Sequence, residues 1–417
     1  MAYSLMVFTW IFLAAVGAAT ATRLWLARRQ IRYVRAHRDS VPGMFAGSIP
    51  LGAHQKAADY TVAKARLGIV DTLLDALILL AFTLGGGLQW LSDQWQHVFA
   101  IESIWHGSAL IVSVLLIKGA LGLPLSLYRI FVIEERFGFN RMTWKLFVTD
   151  LVKGLAVGTV LGVPLLLAVL WLMLAAGAFW WLYVWLVLVV YSLFLQMIYP
   201  AVVMPLFNKF SRLDDPALAG RIEQLLSRTG FRSRGLFVMD GSKRSSHGNA
   251  FFAGFGAAKR IVLFDTLVSR LQPAEVEAVL AHELGHYKLR HIVKGMALSW
   301  GFSFVLLLVL GLLAGQPWFY EGLGMETATL PIALALFLLV VPEFTFFVQP
   351  LLSRFSRKNE YEADRYAAAN ADAAQLVRAL VKLYHDNSAT LTPDPLHSAY
   401  YDSHPPAAMR IARLRTT

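Results

Sequence analysis

Residues 149–174 read TDLVKGLAVGTVLGVPLLLAVLWLML, and residues 178–204 read AFWWLYVWLVLVVYSLFLQMIYPAVVM. Each run is almost entirely apolar and long enough to cross roughly 30 Å of hydrocarbon as a helix. The whole 417-residue chain is 57% hydrophobic and 16% charged, with a mean hydropathy of +0.54. Ordinary soluble domains are roughly 25% charged. The composition therefore excludes a disordered chain, a coiled coil and a single soluble domain, and it predicts a polytopic membrane protein.

Further apolar runs of this kind are spread along the chain. With the two runs quoted above, they make seven predicted membrane spans, at 4–24, 67–92, 104–127, 149–174, 178–204, 293–315 and 329–351.

Basic residues give these spans an orientation. No Lys or Arg precedes the first span and six Arg follow it within residues 23–38, which argues against a cleaved signal peptide. Segments 93–103 and 316–328 contain no Lys or Arg, whereas segment 128–148 contains four. Because cytoplasmic loops carry the excess of Lys and Arg, the N-terminus is predicted outside and the C-terminus in the cytoplasm. The same basic loops account for the net charge of +11 without a nucleic-acid partner.

The composition also suggests which membrane holds the chain. It is rich in Ala and Arg and contains no cysteine. This favours a bacterial inner membrane, with the endoplasmic reticulum membrane as the alternative for a eukaryotic source.

Two polar stretches, 205–292 and 352–417, fall on the cytoplasmic side. Their combined length of about 150 residues is enough for one compact domain. The chain is therefore divided into a membrane region, 1–204, with five helices, and a cytoplasmic domain, 205–417, interrupted by spans six and seven. Strands are predicted at 235–240, 249–253 and 260–264, with a turn around Gly254 and Gly256, and helices at 216–229, 273–290, 356–370, 373–386 and 405–414.

The helix predicted from Pro273 contains His282-Glu283-Leu284-Gly285-His286, an HExxH motif. Its two His lie one turn apart on the same face, so both imidazoles can reach one Zn²⁺. Glu283 can take the proton of a water that attacks a carbonyl. The alternative is a chance match on a surface helix, but the motif lies on a predicted helix, as zinc binding requires. The absence of cysteine means that any metal must be held by His and carboxylates.

A catalytic zinc needs a third protein ligand. Glu360 and Asp364 are at i and i+4 on the predicted helix 356–370. We expect Glu360 to be the third ligand of one Zn²⁺ per chain, and Asp364 to accept the N–H of a ligating His. His291, five residues after His286, is expected to lie off the ligand face, and Glu362 to point elsewhere. The alternative is an exposed acidic patch paired with neighbouring Arg and Lys.

With its seven spans, this HExxH and Glu-x-x-x-Asp pattern resembles the type I CAAX prenyl endopeptidases, integral-membrane zinc metallopeptidases. The resemblance covers essentially the whole chain. Other segments that carry it are 134–140 (EERFGFN), 205–210 (PLFNKF), 246–251 (SHGNAF) and 403–406 (SHPP).

The resemblance implies a mainly helical membrane protein. Its seven helices would enclose a large chamber, and its cytoplasmic zincin-like metallopeptidase domain would be α+β with a small sheet. It further implies that the peptide lies along an edge strand containing Asn249 and Ala250. His404 and Arg410 would lie near the zinc and bind the substrate carboxylate or the oxyanion. The alternatives are an ordinary strand and a surface tail. The implied partners are a peptide, possibly prenylated at its C-terminus, and the bilayer, with the oligomeric state left open.

Several charged residues lie within the predicted spans. Because ionisable groups in hydrocarbon are costly, Asp75, Lys118 and Glu343 are predicted to face the chamber. The chamber would also accommodate Asp71 and His106, although these two are close enough to the surface to need no such explanation.

The leading interpretation is therefore a membrane-embedded zinc endopeptidase. One alternative is a heat-shock-type membrane quality-control metalloprotease, although such proteins usually have fewer spans before the catalytic domain. Another is a non-catalytic receptor or transporter with a vestigial metal site. The intact set of His282, Glu283, His286 and Glu360 argues against that.

Overall fold

The computed structural model describes residues 2–233, 235–253 and 260–416, and most of these are helical. The N-terminal half contains six long helices. They are α1 (Ala2–Ala36), α2 (Leu51–Phe82), α3 (Gly87–Gln96), α4 (Ile104–Tyr128), α5 (Trp144–Ala175) and α6 (Trp180–Ile198).

The C-terminal half adds shorter helices and two more membrane spans, α11 and α13. Its helices are α7 (Met204–Phe207), α8 (Pro216–Arg228), α9 (Asp265–Val268), α10 (Pro273–Lys288), α11 (His291–Leu313), α12 (Pro317–Glu321), α13 (Leu330–Thr345), α14 (Gln349–Asn370), α15 (Ala373–Asp386), α16 (Pro395–Tyr401) and α17 (Ala407–Leu414).

The predicted second span, 67–92, is a bent pair of helices. In the described part of the chain six helical segments are long and apolar enough to cross a membrane, and α2 with α3 makes a seventh if the pair counts as one span. The two helices meet at 50°. Gly86 at the bend has φ +73°, a left-handed conformation that favours glycine. The prediction of seven spans is confirmed, but α2 begins at Leu51, well before residue 67.

A four-stranded sheet lies in the C-terminal half of the chain, in the order β1-β2-β4-β3. The strands are β1 (Phe210–Arg212), β2 (Leu236–Met239), β3 (Ala250–Ala253) and β4 (Arg260–Phe264). β4 is parallel to β2, and the two outer strands pair antiparallel with their neighbours. The three predicted strands are present, and β1 was missed because three residues carry no readable alternation. The predicted turn at Gly254 and Gly256 lies outside the described residues.

Strand β3 forms one edge of this sheet. The amide of Phe264 donates to the carbonyl of Asn249 at 3.0 Å. Because antiparallel partners alternate between bonded and non-bonded pairs, the backbone N–H and C=O of the next residue, Ala250, face the open edge. The edge therefore offers backbone groups with which an extended peptide could pair.

A cavity of about 1100 Å³ lies between the membrane helices and the C-terminal part of the chain. Asp75, Lys118 and Glu343 all line it, so the prediction that they face inward is confirmed. Glu343 is paired with Arg23 at 2.6 Å. His106 is elsewhere. It is fully buried, and its Nε2 lies 3.0 Å from the carbonyl oxygen of Ser92, so it needs no chamber.

Candidate metal centre

Helix α10 carries the HExxH motif through the hydrophobic core formed by the C-terminal helices and the sheet. Pro273 is its first residue, and the Glu275 carboxylate accepts the backbone N–H of Gln272 at 2.7 Å, which caps the start. The helix packs against α8, α14 and α15. Residues on several of its sides are buried, among them Val276, Ala278, Leu280, Ala281 and Leu284. This burial removes the alternative of a chance match on a surface helix.

Gly285 lets α14 approach the motif closely. A Cβ placed on Gly285 would lie 2.9 Å from the Cα of Ala363, a separation too short for any side chain. The small residues at this crossing bring α14 within reach of the imidazoles on α10. Glu360 and Asp364, on either side of Ala363, are both buried, so they do not form an exposed acidic patch.

Three predicted ligands converge. The Nε2 atoms of His282 and His286 are 3.2 Å apart. Glu360 places Oε1 3.2 Å from His286 Nε2 and Oε2 3.5 Å from His282 Nε2. Among the described residues these three form the group of His and carboxylate side chains that could hold a metal ion.

The chemistry of this donor set fits a divalent ion. Glu360 Oε2 is buried and has no hydrogen-bond partner in the described part of the chain. Arg410 Nη1 lies 3.5 Å from this oxygen without forming a hydrogen bond, so the oxygen still has a lone pair that could bind a divalent ion. Two imidazoles and one carboxylate leave a fourth position open, the arrangement of catalytic rather than structural zinc sites.

Asp364 lies behind the first ligand. Its Oδ1 is 2.9 Å from His282 Nδ1, so a proton on Nδ1 leaves the Nε2 lone pair free to face the other ligands. Burial lowers the pKa of His282, but the nearby carboxylates of Asp364 and Glu360 outweigh it and raise the pKa to about 9, so a metal ion must displace a proton to bind this imidazole. Arg410 binds Asp364 with two hydrogen bonds, at 2.6 and 2.9 Å. The guanidinium thus holds Asp364 in place, a contact that the sequence did not reveal.

The remaining predicted residues surround a second cavity of about 330 Å³. It is lined by His282, Glu283, Asn249, Ala250, His404 and Arg410, among others. Burial raises the pKa of the Glu283 carboxyl. This cavity is therefore lined by His282 and Glu283 of α10 and by Asn249 and Ala250 at the edge strand β3.

His404 connects the two cavities. Its Nε2 is 3.4 Å from Glu360 Oε1, and its side chain is 62% exposed. Tyr384, Ala389 and His404 line both the 330 Å³ and the 1100 Å³ cavities. The cavity beside the proposed ligands therefore shares these lining residues with the large cavity between the membrane helices.

Two sequence segments that the resemblance singled out, 134–140 and 246–251, meet beside this site. The rings of Phe139 and His247 stack at 4.5 Å. His247 Nδ1 lies 3.2 Å from Asn387 Oδ1, and Asn387 lines the smaller cavity. Sequence reasoning missed Asn387 because it follows a predicted helix with no motif of its own. The stacking of His247 on Phe139 anchors the segment before β3 to residues 134–140, which lie between the membrane helices α4 and α5.

A helical membrane bundle joined to an α+β domain in which two His and a Glu converge defines an integral-membrane metallopeptidase. A family model described as CAAX prenyl protease N-terminal, five membrane helices, matches residues 30–209, and the model of peptidase family M48 matches residues 212–417. The chain belongs to peptidase family M48, and the predicted family is confirmed.

Relatives match over nearly the whole chain. CAAX prenyl protease 1 homolog from Arabidopsis thaliana is 34% identical over 390 residues, covering 89% of each chain. CAAX prenyl protease 1 from Saccharomyces cerevisiae is 33% identical over 416 residues, covering 94% of this chain and 91% of the relative. The crystal structure of S. mikatae Ste24p superposes with a TM-score of 0.91 at 32% identity, covering 98% of this chain and 99% of that one. The fold class predicted from sequence is confirmed.

Proposed function

We propose that this chain is a zinc endopeptidase that cleaves prenylated peptides near their C-terminus. The observation that carries the proposal is the convergence of His282, His286 and Glu360, together with the cavity that His282 lines jointly with Glu283. In this proposal those three side chains hold one Zn²⁺, and Asp364 orients His282. When bound, the zinc supplies a Lewis acid that polarises the scissile carbonyl and makes water more acidic.

Glu283 is the proposed general base. It takes a proton from the water whose oxygen bonds to the carbonyl carbon, and it delivers that proton to the amine nitrogen as the C–N bond breaks. Its carboxylate makes no hydrogen bond to the described residues, which leaves it free for water. Its raised pKa, caused by burial, makes it a stronger base than an exposed carboxylate.

The substrate backbone is proposed to pair with the open edge of β3 at Ala250, with Asn249 beside it. The Asn249 side chain accepts the amide of Ala250 at 2.8 Å, and a bound peptide would replace that acceptor. His404, exposed at the junction of the two cavities, is proposed to bind the substrate carboxylate or the oxyanion. Arg410 lines the same cavity, but its hydrogen bonds to Asp364 favour a supporting role.

The prenyl specificity is proposed from the names of the relatives and from the three residues that line both cavities, Tyr384, Ala389 and His404. We also propose that the N-terminus lies outside and the C-terminus in the cytoplasm, on the distribution of Lys and Arg. We propose residues 205–417 as the peptidase domain, with α11 and α13 passing through it. The composition alone supports a bacterial inner membrane over the endoplasmic reticulum. The family match over residues 30–209 disfavours a heat-shock-type protease with fewer spans.

Cleavage of one peptide with and without a C-terminal prenyl group tests the proposed function. We expect kcat/KM for the prenylated peptide to be at least tenfold higher, equivalent to about 1.4 kcal/mol of transition-state stabilisation. Equal rates would contradict prenyl specificity and favour a general quality-control protease. Zinc binding with no cleavage of either peptide would favour the receptor or transporter alternative.

Proline at position 250 tests the edge strand. Ala250→Pro removes an N–H that faces the open edge, so it leaves the pairing of β3 with β4 intact. We expect kcat/KM to fall about tenfold, the value of one lost backbone hydrogen bond. The measurement is steady-state cleavage of a fixed peptide, with zinc content determined in parallel.

Arg212→Pro is a matched control on the opposite edge strand, β1. The amide of Leu213 donates to the carbonyl of Leu236 at 3.2 Å, so by the same alternation the N–H of Arg212 faces away from β2. Its kcat/KM should stay close to that of the wild type. Equal losses in both variants would mean that the Ala250 effect is a general weakening of the sheet.

A further inference from the structure

A third imidazole lies directly behind the second ligand. His291 Nδ1 is 3.0 Å from His286 Nδ1, and His291 Nε2 is 3.1 Å from a carboxylate oxygen of Glu362. The His291 side chain is 4% exposed. His291 and Glu362 lie outside the converging group of His282, His286 and Glu360, and the sequence analysis did not propose them as ligands. It did not reveal that both belong to a chain of contacts that ends on His286.

The backbone makes an unusual turn to bring His291 there. In a continuous helix a residue at i+5 would lie about 140° around the axis from His286. Helix α10 instead ends at Lys288, and Arg290 adopts φ +57° and ψ +34°, a left-handed conformation. Only Ser388 shares a positive φ among the described residues other than glycine. Such a residue costs of order 1 kcal/mol or more, and such strain clusters at functional sites.

The hydrogen-bonding roles follow from the requirement that His286 Nε2 face the other ligands with a free lone pair. The proton of His286 must then be on Nδ1, which donates to His291 Nδ1. The proton of His291 is consequently on Nε2, which donates to Glu362. Both imidazoles are neutral, and the negative charge of Glu362 polarises the chain toward the ligand.

The same helix supports both ligands. Asp364 of α14 contacts His282 directly, and Glu362 of α14 reaches His286 through His291. The Nζ atoms of Lys294 and Lys358 each lie 3.9 Å from a carboxylate oxygen of Glu362. These two positive charges stabilise the negative charge of Glu362. Each imidazole ligand thus has a carboxylate behind it, one in contact and one through an intervening ring.

We propose that His291 and Glu362 are positioning residues that fix the tautomer and orientation of His286 for metal binding. This inference rests on the proposed zinc site, but it concerns metal affinity and not the identity of the peptide. The alternative is that His291 is a buried histidine that Glu362 merely satisfies, with no effect on the ligand.

The test measures zinc affinity of the full-length protein by competition with a chromophoric chelator, together with the visible absorption of the Co²⁺-loaded protein. His291→Phe should weaken zinc binding about 10- to 100-fold, the usual effect of losing a hydrogen-bond partner of a metal-binding His, and should alter the Co²⁺ spectrum. Glu362→Gln keeps a neutral acceptor for His291 and should weaken binding less than Glu362→Leu.

The control is His54→Leu. His54 is 1% exposed, its Nε2 lies 2.8 Å from the carbonyl oxygen of His37, and among the described residues its side chain forms no hydrogen bond with the proposed metal ligands. Its zinc affinity should equal that of the wild type. If His291→Phe does not fold, the two Glu362 variants decide the question.

Zinc affinities of the folded variants within about threefold of the wild type, with an unchanged Co²⁺ spectrum, would overturn the proposal. A wild-type protein that binds zinc but cleaves no peptide would refute the proposed function and leave this inference standing.

Discussion

Glu283→Gln is expected to retain one zinc per chain and to lose about 10²- to 10⁴-fold in kcat, because general base catalysis contributes on this scale. Gln has nearly the same shape as Glu and cannot accept a proton from water. The metal ligands, His282, His286 and Glu360, are untouched, so metal binding and proton transfer separate in this variant. Metal content by elemental analysis and kcat on one prenylated peptide are the two measurements.

Glu277→Gln is the matched control, on the same helix. The Glu277 side chain is also largely buried, at 11% exposed. It forms ion pairs with Arg221 and Arg228 on α8 instead of facing the ligands. Its replacement should lower the melting temperature and leave kcat unchanged. Full activity in Glu283→Gln would remove Glu283 from the mechanism. Zinc loss in that variant would mean that it also supports the ligands.

The parts of this molecule that the sequence predicted well are those with local periodicity. A membrane span needs about 20 apolar residues in a row, and HExxH places two imidazoles one turn apart, so neither depends on a distant residue. The close approach of α14 at Gly285 was not predicted, because a glycine inside the motif does not show which helix will pack there. Glu360 and Asp364 were identified through their i, i+4 spacing, although nothing local showed that α14 would meet α10.

The parts that could not be predicted depend on a turn or on a distant contact. The position of His291 follows from one left-handed residue, Arg290, and no sequence rule places an arginine in that conformation. The pairing of Arg410 with Asp364 joins residues 46 positions apart. The break between α2 and α3 was in principle visible, because three consecutive glycines, 85–87, interrupt the apolar run.

Glu360→Ala is expected to weaken zinc binding about 100- to 1000-fold and to abolish cleavage at limiting zinc. Protein zinc sites bind with roughly 10–16 kcal/mol, so one of three or four ligands accounts for about 3–4 kcal/mol. In the wild type the Arg410 guanidinium lies 3.5 Å from Glu360 Oε2. Glu360→Ala removes this negative charge from beside the guanidinium. A cation near a site that has lost its anionic ligand further disfavours a divalent ion.

Two other carboxylates separate the loss of a ligand from the loss of a buried charge. Asp394 is 2% exposed in its ion pair with Arg29, so Asp394→Ala should destabilise the fold while zinc affinity is retained. The zinc affinity of Asp364→Asn should lie between those of Glu360→Ala and Asp394→Ala, about 10- to 100-fold weaker than that of the wild type. Asn can still accept a hydrogen bond from His282 but carries no charge. Chelator competition on all three variants gives the order. The Glu360 carboxylate lies within 3.5 Å of both His282 and His286. A zinc affinity of Glu360→Ala equal to that of the wild type would therefore require a different third ligand and a different geometry for attack.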